Sequence, residues 1–250
     1  MSSPIRDLLD LIANSIRRLM DALVEIYSNA FIDTTSDLGS YMSTTLQVRN
    51  DSATSVRTYI TLGATPDCVQ DVASITGVPI TKLYPLMGYF ELEANTAVTL
   101  AAPAGMGFNG NFSFNTPPMN CPTEQFPNGV NLGEFIINNG FQGQYAQETI
   151  DISCVAGVNC LMEFEMSAGD WTSNSGKVTV NKIANGTKLN NTNRVGVFPY
   201  GCDNCTSSDN PPECVGKQPQ YANKEPICNV QRLAGSNQGG TLTIVFKGAH

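Results

Sequence analysis

Charge is scarce in this chain. Only 14% of its 250 residues are Asp, Glu, Lys or Arg, where globular proteins carry about a quarter. Positive charge is scarcer still: 14 Lys and Arg face 22 Asp and Glu, a formal charge of −8. Such a surface repels phosphate backbones, which excludes nucleic acid as the main partner. Histidine is almost missing. The one His is His250, so His-dependent triads and His-rich metal sites are excluded. Long apolar runs are missing too, and no segment is long and apolar enough to span a bilayer. The N-terminal stretch MSSPIRDLLDLIANSIRRLMDALVEIYSNAF has no uninterrupted signal-peptide core. Arg6, Asp7, Asp10, Arg17, Arg18, Asp21 and Glu25 break it up.

Asn, Thr, Ser and Gly are abundant, and Val, Ile, Leu and Phe recur throughout. That mixture suits an all-β protein with polar turns and excludes disorder. The length allows one large β domain or two small ones with a real core.

Residues 1–32 read as an amphipathic α-helix, capped by Ser2 or Ser3 with Pro4 in its first turn. Ile5, Leu8, Ile12, Leu19 and Ile26 form one line, and Leu9, Ile16 and Leu23 lie beside it. Such a stripe packs on its own domain, or docks a partner subunit or a second copy through a heptad-like seam. Its polar face is mixed in sign, unlike the basic face of a membrane-surface helix. Residues 33–42, around DTTSDLGS, read as a linker.

From residue 43 the texture turns to period two. YMSTTLQVRN and SVRTYITLGA, separated by DSAT, read as a hairpin. YFELEANTAVTLAAP reads as strand–turn–strand, GFNGNFSFN as a strand, and GEFIINNGFQGQYAQETIDIS as a hairpin. LMEFEMS, KVTVNKI and the final GGTLTIVFKG are further strands, the last placed to pair with the first strands of a sandwich. Residues 199–232, rich in Cys, Pro, Asn and Gly, read as a disulfide-held loop region.

The eight cysteines are Cys68, Cys121, Cys154, Cys160, Cys202, Cys205, Cys214 and Cys228. An even number in a loop-rich setting favours structural disulfides and an oxidising location, with the pairing open. CDNC (residues 202–205) with Cys214 and Cys228 also has tetrahedral zinc spacing in one half only. The βαβ context of a redox CxxC is absent. Asn-X-Ser/Thr sequons stand at Asn50, Asn111, Asn185, Asn190 and Asn204.

Chemistry centres on three acids in NLGEFIINNGFQGQYAQETIDIS: Glu134, Glu148 and Asp151. Glycoside hydrolysis needs a proton donor and a second carboxylate. A hairpin centred on Gln142 sets Glu134 opposite Ile150, with Glu148 diagonal on the same face and Asp151 on the other. A one-residue shift or a bulge sets Asp151 opposite Glu134 instead. The alternative is that these acids are solvated decoration of a sheet. Aromatics such as Tyr84, Tyr89, Phe112 and Trp171 suit sheet faces and core, and some can stack on sugar rings.

Leu132-Gly133-Glu134-Phe135, then Asp151-Ile152-Ser153, then Gly157-Val158-Asn159 resemble the thaumatin-like proteins. Those carry a Leu-Ala-Glu-Phe strand, an Asp-Val-Ser-type strand and a Gly-Phe-Asn turn. The resemblance spans roughly residues 43–247, with LQVRNDSATSVRTYIT in the place of the first hairpin and GGTLTIVF in that of the closing strand. It implies a thaumatin-like antiparallel β-sandwich with disulfide-rich loops over 43–250. It also implies an acidic cleft that binds β-1,3-glucan, with weak or no endo-β-1,3-glucanase-type hydrolysis. The family's cleft Glu falls on Glu134 and its first cleft Asp on Asp151, which would be proton donor and carboxylate partner in an enzyme. Its second cleft Asp falls on Ala156, its cleft Arg has no counterpart in APAGMGFNG, and no Cys follows Phe246.

The expectation is therefore a glycan-binding, extracellular or surface-exposed protein that uses no cofactor and no metal. The other reading is a structural surface protein of an extracellular or virion-like assembly, oligomerised through the N-terminal helix.

Overall fold

Alternation of apolar and polar residues becomes strand after strand. The computed structural model describes residues 43–120, 122–139, 147–154, 156–167, 171–174, 180–182, 188–190, 197–198, 229–233 and 239–249. The expected helix (1–32), the linker (33–42) and residues 199–228 of the Cys-rich region lie outside the described residues. The strands are β1 (Thr45–Asn50), β2 (Val56–Leu62), β3 (Thr81–Tyr84), β4 (Met87–Leu92), β5 (Ala97–Leu100), β6 (Phe108–Phe114), β7 (Leu132–Ile137) and β8 (Gln147–Ser153). They continue as β9 (Cys160–Met166), β10 (Thr172–Asn174), β11 (Val180–Lys182), β12 (Lys188–Asn190), β13 (Val197–Phe198), β14 (Asn229–Leu233) and β15 (Thr241–Ala249). The sole helical element among the described residues is a 3-10 turn, Val72–Ser74, capped by the Asp71 side chain.

Two sheets result. The smaller has the order β12-β9-β15-β1-β5 and the larger β11-β10-β14-β8-β7-β6-β2-β4-β3, with β13 on β8. The closing strand β15 pairs with β1 in parallel, Thr45 opposite Thr241 through Asn50 opposite Phe246. The expected hairpin of β7 and β8 forms. The expected hairpin of β1 and β2 does not: β1 joins the small sheet, while β2 joins the large one between β4 and β6. Asn50 explains the corner. Its fully buried side chain donates to the carbonyls of Thr54, Leu92 and Glu93 at 2.8–3.1 Å. Those bonds turn the chain from one sheet to the other and remove this sequon from modification in the folded chain. The β4–β5 segment makes a second such crossing, with Asn95 at φ 54°.

The facing sides form an apolar core. Phe114 of β6 meets Phe246 of β15 at 5.1 Å between ring centres. Phe112 stacks on Phe135 at 5.3 Å and meets Phe90 edge-on at 6.5 Å. Gly133 lies tight against the small sheet: a Cβ there would stand 3.0 Å from the Met162 sulfur and 3.2 Å from the Phe164 ring. The core also takes up cysteine. Cys68 and Cys154 are buried free thiols where disulfides are expected, and no disulfide joins either to Cys160. Their sulfurs act as small apolar groups, and burial raises the Cys68 thiol to about 11 and Cys160 to about 12. Cys121, Cys202, Cys205, Cys214 and Cys228 lie outside the described residues.

Among the described residues, a buried ion pair interrupts the apolar layer. Arg232 of β14 donates through Nε to Glu148 and through Nη2 to Thr44 Oγ1 and, at 3.1 Å, to the Gly239 carbonyl. Its guanidinium lies 4.4 Å from the centre of the Trp171 ring. Glu148 also accepts from Thr44 Oγ1 and from the Asn138 backbone N–H, each at 2.8 Å. The cluster ties the end of β7, the start of β8, β14 and the lead into β1 together.

Candidate functional site

On a pleated sheet, residues directly opposite one another share a face. On the outer face of the large sheet one such row runs across five strands. Met87 lies opposite Thr61, Thr61 opposite Asn111, Asn111 opposite Glu134, and Glu134 opposite Asp151. Glu134 and Asp151 therefore meet in the shifted register, the one the family resemblance favours. Glu148 is not among them. It points into the core and pairs with Arg232.

Glu134 and Asp151 are half-buried and in hydrogen-bond contact. Half-buried Leu132 and Ile136 flank Glu134 on its own face of β7. Desolvation raises both carboxyls above their ordinary range. Asp151 rises furthest, because the Glu134 charge and their hydrogen bond add to burial. The same bond partly offsets the rise at Glu134. Each carboxyl thus affects the titration of the other. The pair behaves as a coupled dyad.

The rest of the row is poor in partners. Thr61 Oγ1, Asn111 Oδ1 and Asp151 Oδ1 are each shielded from solvent and without a hydrogen bond. Leaving such groups unpaired costs about 1–3 kcal/mol each, so each calls for a specific explanation, a functional role among them. Asn111 and Asp151, though not Thr61, line an open depression of about 330 Å³, together with Asn109, Glu134, Ile136 and Thr149 among others. Among the described residues no three His, Cys, Asp or Glu side chains converge as metal ligands, and no helix is long and apolar enough to cross a membrane.

Ala156, at the place of the family's second cleft Asp, is 7% exposed, and its carbonyl accepts from Val130 N–H at 3.1 Å. The neighbouring turn is structural. Gly157, at φ 112°, bridges Gly129, and a Cβ on it would stand 2.2 Å from the Asn128 carbonyl oxygen. Asn159 donates to the Phe114 carbonyl at 2.8 Å and to Thr116 Oγ1 at 3.0 Å. The sequence reading missed Thr61 and Met87 and took Asn111 only as a sequon. Period two places each on an outward face, but the cross-strand register that joins them is set by turns and corners far apart in the chain.

No known protein-family profile matches the chain, and no curated protein matches it. Solved structures do. The thaumatin-like xylanase inhibitor TLXI is similar over 81% of this chain and 98% of its own, at 13% identity and a TM-score of 0.37. The protein elicitor MoHrip2 from Magnaporthe oryzae is similar over 82% of this chain and 98% of its own, at 9% identity and a TM-score of 0.35. Both likenesses concern the fold.

Proposed function

We propose that the outer face of the large sheet binds a neutral polysaccharide of the β-1,3-glucan class and does not hydrolyse it. The observation that carries this reading is the row of unpaired polar atoms on Thr61, Asn111 and Asp151. Asn111 Oδ1 and Asp151 Oδ1 accept hydrogen bonds, Thr61 Oγ1 accepts or donates, and sugar hydroxyls do both. The net charge of −8 disfavours a uronate or sulfated chain.

Binding is favoured over cleavage by the dyad itself. A retaining glycosidase separates its two carboxyls by about 5–5.5 Å and an inverting one by about 6.5–9.5 Å, with the sugar between them. Glu134 and Asp151 are direct cross-strand partners that perturb each other's titration, a closer pairing than either arrangement uses. Their role in this reading is to grip hydroxyls. Sedimentation with insoluble β-1,3-glucan tests it, with sugar release assayed in parallel. Wild-type protein is expected in the pellet without released sugar, and a variant carrying Asn111→Leu and Asp151→Leu is expected in the supernatant. Failure of the wild type to sediment overturns the reading. Sugar release that Glu134→Gln abolishes would make the site a hydrolase instead.

A further inference from the structure

The row does not stop at Met87. Met87 lies opposite Tyr84 of β3, so the same face continues to the edge of the sheet and ends in an aromatic ring. Tyr84 is 67% exposed, the most exposed large apolar side chain among the described residues. The order across the sheet is Tyr84, Met87, Thr61, Asn111, Glu134, Asp151. An exposed ring thus stands at one end, a half-buried thioether beside it, unpaired polar atoms in the middle, and a carboxyl dyad at the other end.

We propose that this row is one extended site in which a linear neutral glycan lies across the strands, with Tyr84 stacking on a sugar ring at the end remote from the dyad. The inference rests on the glycan reading above and adds the direction of the chain, the length it must have and the residue that senses that length. Strands lie about 4.8 Å apart, so six residues on six neighbouring strands span roughly 24 Å. That is the reach of an oligosaccharide of several rings, not of a mono- or disaccharide. The chemistry is ordered accordingly. Hydroxyls donate to Asn111 and Asp151, the Met87 thioether offers a soft apolar floor, and the Tyr84 face takes the apolar C–H face of a pyranose. The partner is a polymer lying flat, because the depression at the dyad is open and the row continues out of it.

Titration calorimetry with β-1,3-linked glucose oligomers of two and six units tests this. For wild-type protein the hexamer is expected to bind more tightly than the dimer. In Tyr84→Ala the hexamer is expected to weaken roughly three- to tenfold, with dimer affinity unchanged. Tyr84 is exposed, so this variant is expected to keep the wild-type Tm. Equal hexamer affinity in wild type and Tyr84→Ala overturns the extended site and leaves glycan binding at the dyad standing. Absence of binding by either oligomer to wild type overturns the glycan reading and this inference with it.

Discussion

At the scale of single residues, burial raises the carboxyls of Glu134 and Asp151. A carboxyl whose folded pKa is raised holds its proton more tightly folded than unfolded. Its contribution to stability is full below the ordinary carboxylate range and is lost as pH rises through the raised value. Both members are raised, Asp151 most. Wild-type protein is therefore expected to lose stability relative to Asp151→Asn as pH increases. The Tm of the variant minus that of the wild type should grow by a few degrees between about pH 4 and about pH 8. A difference constant with pH would mean that Asp151 titrates normally. The two acids were legible from sequence as candidate site residues. That they face each other was legible only through the family pattern, because alternation alone put Glu148 beside Glu134. The deciding residue is Arg232, 84 positions from Glu148, whose buried guanidinium draws Glu148 inward.

Strands were the most legible elements, because their alternation is local. Their partners were not. The segment DSAT between β1 and β2 looked like a hairpin turn, yet it carries the chain between sheets, because Asn50 finds carbonyls at the end of β4, on Leu92, and just after it, on Glu93. The Arg232–Glu148 cluster works at the same scale. It fixes where β7 ends and β8 begins, and so holds the register that sets Glu134 opposite Asp151. Arg232→Met is expected to cost about 3–5 kcal/mol in denaturant unfolding, since it strands a buried carboxylate. Adding Glu148→Leu should recover about 1–3 kcal/mol relative to the sum of the single changes. Strict additivity would mean that the two side chains do not interact.

The whole molecule, within its described residues, is a sandwich, and the proposed site lies on the outer face of its large sheet. The core that supports it is aromatic: Phe112 is fully buried between Phe90 and Phe135. Phe112→Ala is expected to destabilise by about 3–5 kcal/mol in chemical denaturation, far more than any change along the outer row. Fold class was legible from composition and period. The proposed site was half legible: its acids stood out in a chain poor in charge and Tyr84 was one of several aromatics able to stack on sugars, while Thr61 and Met87 join the row only through long-range pairing. The most direct measurement is a crystal structure with a β-1,3-linked glucose hexamer. The expected result is an intact oligosaccharide lying across β8, β7, β6, β2 and β4, in contact with Asp151, Asn111 and Thr61 and reaching Tyr84 on β3. A cleaved chain, or one bound away from this face, would contradict the account.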